Sequence, residues 1–164
     1  MRILGLAGWS GSGKTTLLTA VIPELVARGL TVSTIKHAHH EFDIDKPGKD
    51  SWRHREAGAS EVLVGSERRW ALMHELRGAA EPTLDALIAR LQAVDLVLVE
   101  GFKLHPHAKI EVHRPSLGKP LLYPDDPEVV AIAADEAIAA PIPVLPLGDA
   151  RAVAAFIVEH ARRL

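Results

Sequence analysis

Cysteine is absent from the 164-residue chain, which removes disulfides, thiolate metal sites and thiol nucleophiles together and suits a reducing compartment. Asparagine is absent as well, so the Asn-Lys-x-Asp element with which regulatory GTPases read guanine is impossible here. Positive charge is not in surplus: the formal net charge is -2, and no global field draws in nucleic acid or an anionic membrane. The opening run Arg2-Ile3-Leu4-Gly5-Leu6 is too short for a signal peptide, and no later apolar run reaches membrane-spanning length. The expectation is a cytoplasmic protein with neither nucleic acid nor membrane as partner, which must catch any anion at a local site.

What is present is ordinary for a globular chain, 48% hydrophobic and 24% charged, and 164 residues suffice for one α/β domain burying roughly 70% of its unfolded surface. A single domain over 1–164 is expected. Ile3 to Ala7 is a short apolar run, followed by a glycine-rich turn and then Leu17, Leu18, Val21, Ile22, Leu25 and Val26 at helical spacing. Gly29 supplies a helix stop, and Thr31 to Ile35 is β-branched enough for a second strand, so the unit reads βαβ with parallel strands.

Residues 38 to 50 read as a loop leading into a short helix near Ser51 to Ala57. Glu61 to Val64 and Arg69 to His74 pair as a hairpin around residues 65 to 68. A helix starts near Pro82 with Leu84, Leu87, Ile88 and Leu91 on one face. Leu96 to Val99 is uninterrupted and apolar between Asp95 and Glu100, as expected of a central strand covered on both faces. Lys109-Ile110-Glu111-Val112-His113 alternates; Val129 to Ala133 and Ile142 to Leu147 offer further strands, the latter weakened by Pro143 and Pro146. Asp149 caps a last helix with Val153, Phe156 and Ile157 inward.

Gly8-Trp9-Ser10-Gly11-Ser12-Gly13-Lys14-Thr15 fits the phosphate-binding P-loop pattern, Gly, four variable residues, then Gly-Lys-Ser/Thr. The glycines let the backbone curl into a nest of N–H groups aimed at phosphate oxygens, where a side chain would obstruct the approach. The following helix adds its positive end, Lys14 a full charge near the β and γ phosphates, and Thr15 a hydroxyl for Mg²⁺. By chance the pattern should arise in about one such chain in a few hundred, and here it stands between a predicted strand and a predicted helix. The fold class expected is therefore α/β, a P-loop NTPase three-layer sandwich with a mainly parallel central sheet and an additional β-hairpin or extended β region.

Mg²⁺ prefers oxygen ligands, and P-loop sites commonly take one from an acid ending a neighbouring strand. Glu100, followed by Gly101, is the candidate; Asp95 lies roughly 17 Å away at about 3.3 Å per residue and reads as structural. Lys36 and His37, then His39 and His40, follow the second strand, at the edge where ligands of open α/β sheets collect. Lys36 is a candidate for the substrate or the γ-phosphate. The histidine spacing fits no fixed metal template. Asp50-Ser51-Trp52-Arg53 reads either as an N-capped helix start or as a charged loop closing over a nucleotide.

Four blocks in this order resemble a known family: residues 8 to 16, Thr34-Ile35-Lys36-His37-Ala38-His39-His40, Gly48 to Arg53 with Ala57-Gly58-Ala59, and Leu96-Val97-Leu98-Val99-Glu100-Gly101-Phe102-Lys103. Together they are similar to the molybdopterin-guanine dinucleotide biosynthesis adaptor (MobB) family, from residue 3 to about 112 and onward through Ala131 to Asp135. The resemblance implies a GTP-binding, weakly GTP-hydrolysing protein that assists a separate MobA-type guanylyltransferase joining GMP to molybdopterin. It implies GTP and Mg²⁺ as cofactors, molybdopterin as a possible further ligand, and a homodimer formed through extended β structure, placed at 61–74 or 108–123, where exposed edges can pair.

By the same resemblance Gly8, Ser10, Gly11, Ser12, Gly13, Lys14, Thr15 and Thr16 hold the nucleotide phosphates, and Glu100 completes the Mg²⁺ shell with Thr15. Lys36, His37, Asp50 and Arg53 become contacts for the γ-phosphate or the partner. Asp135, just after a predicted strand, is a candidate guanine contact, since a carboxylate accepts from the N1 and N2 hydrogens. No residue stands out as an efficient base, so slow turnover follows. Two other readings stay open: a small-molecule kinase, whose lid would need Arg53, Arg55, Arg68 and Arg69, and a metal-delivery GTPase suggested by nine histidines.

Overall fold

The computed structural model describes residues 1–38 and 42–164, so His39 and His40 lie outside the described residues. Along the chain come β1 (Arg2–Ala7), α1 (Lys14–Ala27), β2 (Val32–Lys36), α2 (Asp50–Glu56), β3 (Glu61–Gly65), β4 (Trp70–His74) and α3 (Leu84–Ile88). There follow β5 (Leu96–Glu100), β6 (Lys109–His113), β7 (Val129–Ala134), β8 (Val144–Pro146), α4 (Ala150–His160) and β9 (Arg162–Arg163). The described residues gather into two compact units, Met1–His37 with Leu84–Leu164, and Ala38–Thr83.

The first unit is built on a sheet of order β2-β5-β1-β6-β7-β8, with β9 added beside β1. Every pairing along that path is parallel, and β9 alone is antiparallel. The expected βαβ unit is present with one difference: β5 lies between β1 and β2, in register with both. This places β1, and the loop that leaves its C-terminal end, in the middle of the sheet.

Successive side chains of a strand point to opposite faces, and the two faces are covered differently. On one, Leu4, Leu6, Leu96, Leu98, Ile110, Val112, Ala131 and Ala133 pack under Leu17, Leu18, Val21 and Leu25 of α1 and Val153, Ala154 and Ile157 of α4. Truncating any of these leucines or isoleucines to alanine costs about 2–5 kcal/mol. On the other, Ile3, Ile35, Val97 and Val99 meet Leu84, with Leu87, Ile88, Leu91 and Phe102 packed alongside. The helix expected from Pro82 is only the five residues of α3; the periodicity continues through tighter turns, in which Arg90 and Leu91 donate to the carbonyls of Leu87 and Ile88.

The remainder of that second face is closed by main chain without regular structure, and this explains why the alternating strand β6 departs from the usual wet-face pattern. All five of its residues are buried. Covering segments without their own hydrogen bonds need partners from the sheet, and Glu111 supplies them, accepting from the N–H groups of Leu122 at 2.8 Å and Tyr123 at 3.0 Å. Lys109 is tied to Asp126 at 3.1 Å. Because β6 pairs with β1 and β7 on its two sides, it offers no free edge within the 108–123 region expected for a dimer.

In the second unit α2 precedes the antiparallel hairpin of β3 and β4, registered Leu63 to Leu72 and Gly65 to Trp70. Asp50 begins α2 rather than capping it: Lys49 occupies the cap position without a side-chain hydrogen bond, and Asp50 sits in the first turn, where a carboxylate suits the helix dipole. Arg55 gathers Asp43, Asp45 and Glu75 at 2.9, 3.4 and 3.4 Å.

Candidate functional site

The loop Gly8–Thr15 leaves β1 at its C-terminal end, where open parallel sheets collect ligands. Two of its glycines are required by geometry. Gly8 has φ +143, and a Cβ there would collide with the Val112 carbonyl oxygen and the Ser12 hydroxyl. Gly13 has φ +98 and stands as the N-cap of α1 without a side-chain cap, so the first amides of the helix are left for an external acceptor. Ser10, Gly11, Thr15 and Thr16 are exposed, Ser12 is buried, and Gly13 and Lys14 are intermediate.

Three details of this loop suit a bound polyphosphate. The Lys14 ammonium is folded over the loop, donating to the Gly8 and Trp9 carbonyls at 2.9 Å each. Burial pushes its pKa below the ordinary lysine value, Lys103 and Lys36 add to that, and Glu100 opposes it; an incoming anion would compensate the same charge. The buried hydroxyl of Ser12 has no partner among the described residues.

Glu100 ends β5 as expected and is buried. Thr15 Oγ1 donates to its carboxylate at 3.0 and 3.1 Å, so the two hard oxygen donors assigned to Mg²⁺ are side by side. Lys36 is the register partner of Glu100 across β2 and β5, with its Nζ 3.6 Å from Oε1. The His37 N–H donates to the Glu100 carbonyl at 2.8 Å, and its ring lies 4.9 Å from that of Phe102. Lys14, Thr15, Lys36, His37 and Glu100 therefore assemble around one point of the sheet edge. Asp50 and Arg53 belong to α2 in the second unit, both exposed. Asp95, at the other end of β5, is bound by the Thr31 N–H and hydroxyl at 2.8 and 2.7 Å, which hold its carboxyl below the usual range.

On the opposite side of the loop stands a residue that sequence reasoning passed over. Arg114, directly after β6, donates from Nε to the Ser12 carbonyl at 3.1 Å and from Nη1 to Asp135 at 2.6 Å. Its guanidinium lies beside Gly13, within ordinary contact distance of where a Cβ would stand. The signal available in the sequence was its place, first after the strand beside β1. Asp135, at the end of β7, is thus linked to the phosphate loop through a single side chain.

A central strand, a glycine-bearing loop with its lysine turned inward, a helix begun at that lysine and an acid on the adjacent strand define a P-loop α/β protein. Comparison with known proteins narrows this. The family model described as "Molybdopterin guanine dinucleotide synthesis protein B" matches residues 3–135, and the chain belongs to that MobB family. It is 44% identical over 164 residues to the molybdopterin-guanine dinucleotide biosynthesis adapter protein of Escherichia coli (strain K12), covering 98% of this chain and 94% of that one. It is 50% identical over 133 residues to the adapter protein of Haemophilus influenzae, covering 80% and 73%. A crystal structure of molybdopterin-guanine biosynthesis protein B superimposes with a TM-score of 0.75 at 27% identity over 96% of this chain and 98% of that chain. Bacillus subtilis MobB, 22% identical over the whole of both chains with a TM-score of 0.76, shares the fold. Among the described residues no helix is long and apolar enough to cross a membrane.

Proposed function

We propose that this chain is a cytoplasmic GTP-binding adaptor with weak GTPase activity, serving a guanylyltransferase that attaches GMP to molybdopterin. The observation that carries the reading is the Thr15 hydroxyl against the Glu100 carboxylate, 3.0 Å from Oε1, beside a phosphate loop, in a chain whose relatives bear the adapter name. The loop amides and Lys14 bind the β and γ phosphates, while Thr15 and Glu100, both hard oxygen donors, hold Mg²⁺. Bound there, the metal neutralises phosphate charge. Lys36 is held beside the same carboxylate and faces the γ end.

With the metal ligands assigned to the β2–β5 side of the loop, we assign the nucleoside to the β6–β7 side and give Asp135 the role of accepting from guanine. Glu100 and His37, the acid and the histidine beside Lys14 and Thr15, are engaged by Thr15 and Lys36 and by Phe102, which fits slow hydrolysis. His37 is kept as a contact for the γ-phosphate or the transferase, and Asp50 and Arg53, on α2, are assigned to the transferase.

The homodimer is assigned to the β3–β4 hairpin. Leu63, Trp70 and Leu72, 64%, 62% and 42% exposed, share one face by register, an apolar stripe of the kind that interfaces cover. Titration with GTP and ATP, with and without Mg²⁺, tests the nucleotide assignment. Tight Mg²⁺-dependent GTP binding with slow turnover supports it; preference for ATP with phosphoryl transfer to a small acceptor would mark a kinase instead.

A further inference from the structure

The phosphate loop carries a tryptophan at its first variable position, and two lysines from separate segments converge on it. Lys103 Nζ stands 5.0 Å from the Trp9 ring centroid and Lys119 Nζ 5.7 Å, both within the roughly 6 Å reach of a cation–π contact. The ring is fixed by its own Nε1, which donates to the Pro120 carbonyl at 2.8 Å. Lys103 is delivered by a strained turn: Gly101 and Phe102 are both left-handed, at φ +100 and +50. A non-glycine residue in that region is costly and gathers at ligand clamps.

Two cations beside the loop have no carboxylate partner among the described residues. Lys36 is paired with Glu100 and Arg114 with Asp135. Lys14 faces the phosphates through the loop. Lys103 and Lys119 are left over; among the described residues neither lies within ion-pair distance of a carboxylate, and only an aromatic face offsets their mutual repulsion. Lys103 already lowers the pKa of Lys14, so its charge is felt inside the site.

We infer that Lys103 and Lys119, held on Trp9, form a second anion subsite beside the triphosphate site, built for the phosphate monoester of another ligand bound together with the nucleotide. A phosphate monoester carries about -1.5 to -2 at pH 7 and so balances two ammonium groups, whereas one carboxylate balances only one. Trp9 is a positioning residue whose ring holds each ammonium group within about 6 Å of its centre. The inference uses the nucleotide-binding reading above only to place the triphosphate.

The test is calorimetric titration of the full chain, saturated with Mg-GTP, with hydroxymethylpterin phosphate, with unphosphorylated hydroxymethylpterin and with inorganic phosphate. The expected result is binding of the ester, none of the parent pterin, and weaker binding of inorganic phosphate. The double variant Lys103→Gln/Lys119→Gln should lose the ester at least tenfold while Mg-GTP weakens by a clearly smaller factor, the part that the Lys103 charge contributes at Lys14. Trp9→Phe, which keeps an aromatic face, should retain the ester better than Trp9→Ala. Ester binding absent from a protein that binds Mg-GTP normally would overturn the inference. So would equal losses of ester and Mg-GTP in the double variant, which would assign the lysines to the triphosphate, or loss of guanylyltransferase binding alone, which would assign them to an acidic protein surface. Should the wild type fail to bind GTP, the nucleotide reading falls, and the same ester titration on nucleotide-free protein still decides the lysine pair.

Discussion

Thr15 and Glu100, 85 positions apart in sequence, meet through one hydroxyl that donates to both carboxylate oxygens at 3.0 and 3.1 Å. Strand order makes this contact, since β5 and β1 are neighbours in register up to Leu6 and Glu100. If the pair is the Mg²⁺ site, Glu100→Gln should weaken GTP binding by about tenfold or more with Mg²⁺ present, the scale of losing even an outer metal partner. Binding in EDTA should stay close to wild type. Equal losses in both conditions would assign Glu100 to the framework.

Arg114 joins Asp135 to the loop, and the ion pair is partly exposed on both sides. Its contribution to stability should be about 1 kcal/mol or less, so Asp135→Asn should unfold nearly as the wild type does. Its effect should appear in base choice, as a reduced ratio of GTP to ATP affinity measured by competition. An unchanged ratio would remove Asp135 from the base site.

Glu111 is fully buried and satisfies two backbone amides of the segment that covers β6. Each orphaned buried amide costs about 1–3 kcal/mol, so Glu111→Leu should lower the urea-unfolding free energy by about 2 kcal/mol or more. Glu111→Gln, which keeps one acceptor oxygen, should lose less. Similar values for the two variants would show that hydrogen bonding is not what this residue supplies.

His107 is buried against Gly5, with its Nε2 unpartnered. Burial first, then the Lys109 and His105 charges, lower its pKa from 6.5 to about 4, against the His105 carbonyl and Asp126. The unfolded chain therefore binds a proton between those values that the folded chain refuses, so the contribution of His107 to stability falls as pH drops from about 6.5 to about 4 and is constant below that. The loss is on the order of 2–3 kcal/mol. His107→Gln should flatten that part of the profile in urea titrations at pH 7, 5.5 and 4.5. A variant profile parallel to the wild type would place the proton elsewhere.

The parts of this molecule that were legible in its sequence are those where a local pattern dictates the outcome. The apolar run, the spaced glycines and the helical leucines put β1, the loop and α1 where expected, and the acid after Leu96–Val99 marked Glu100. The hairpin of β3 and β4 followed from β-rich runs around a short polar turn. What was not legible depends on neighbours far along the chain. Lys109, Glu111 and His113 alternate with apolar residues, and nothing local announces that irregular segments will cover them. The two residues of β9 pair with β1 through main chain alone, with no hydrophobic signature. Arg114 belongs to no motif, and its role appears only once β6 lies beside β1.

Lys14 tests the account most directly. Calorimetric titration of Mg-GTP into the wild type and into folded Lys14→Ala should show about a 10- to 100-fold weakening in the variant, matching the ~1.5–3 kcal/mol of a hydrogen bond to a charged group. An unchanged affinity for Mg-GTP would contradict it, because the loop would then not be what holds the nucleotide.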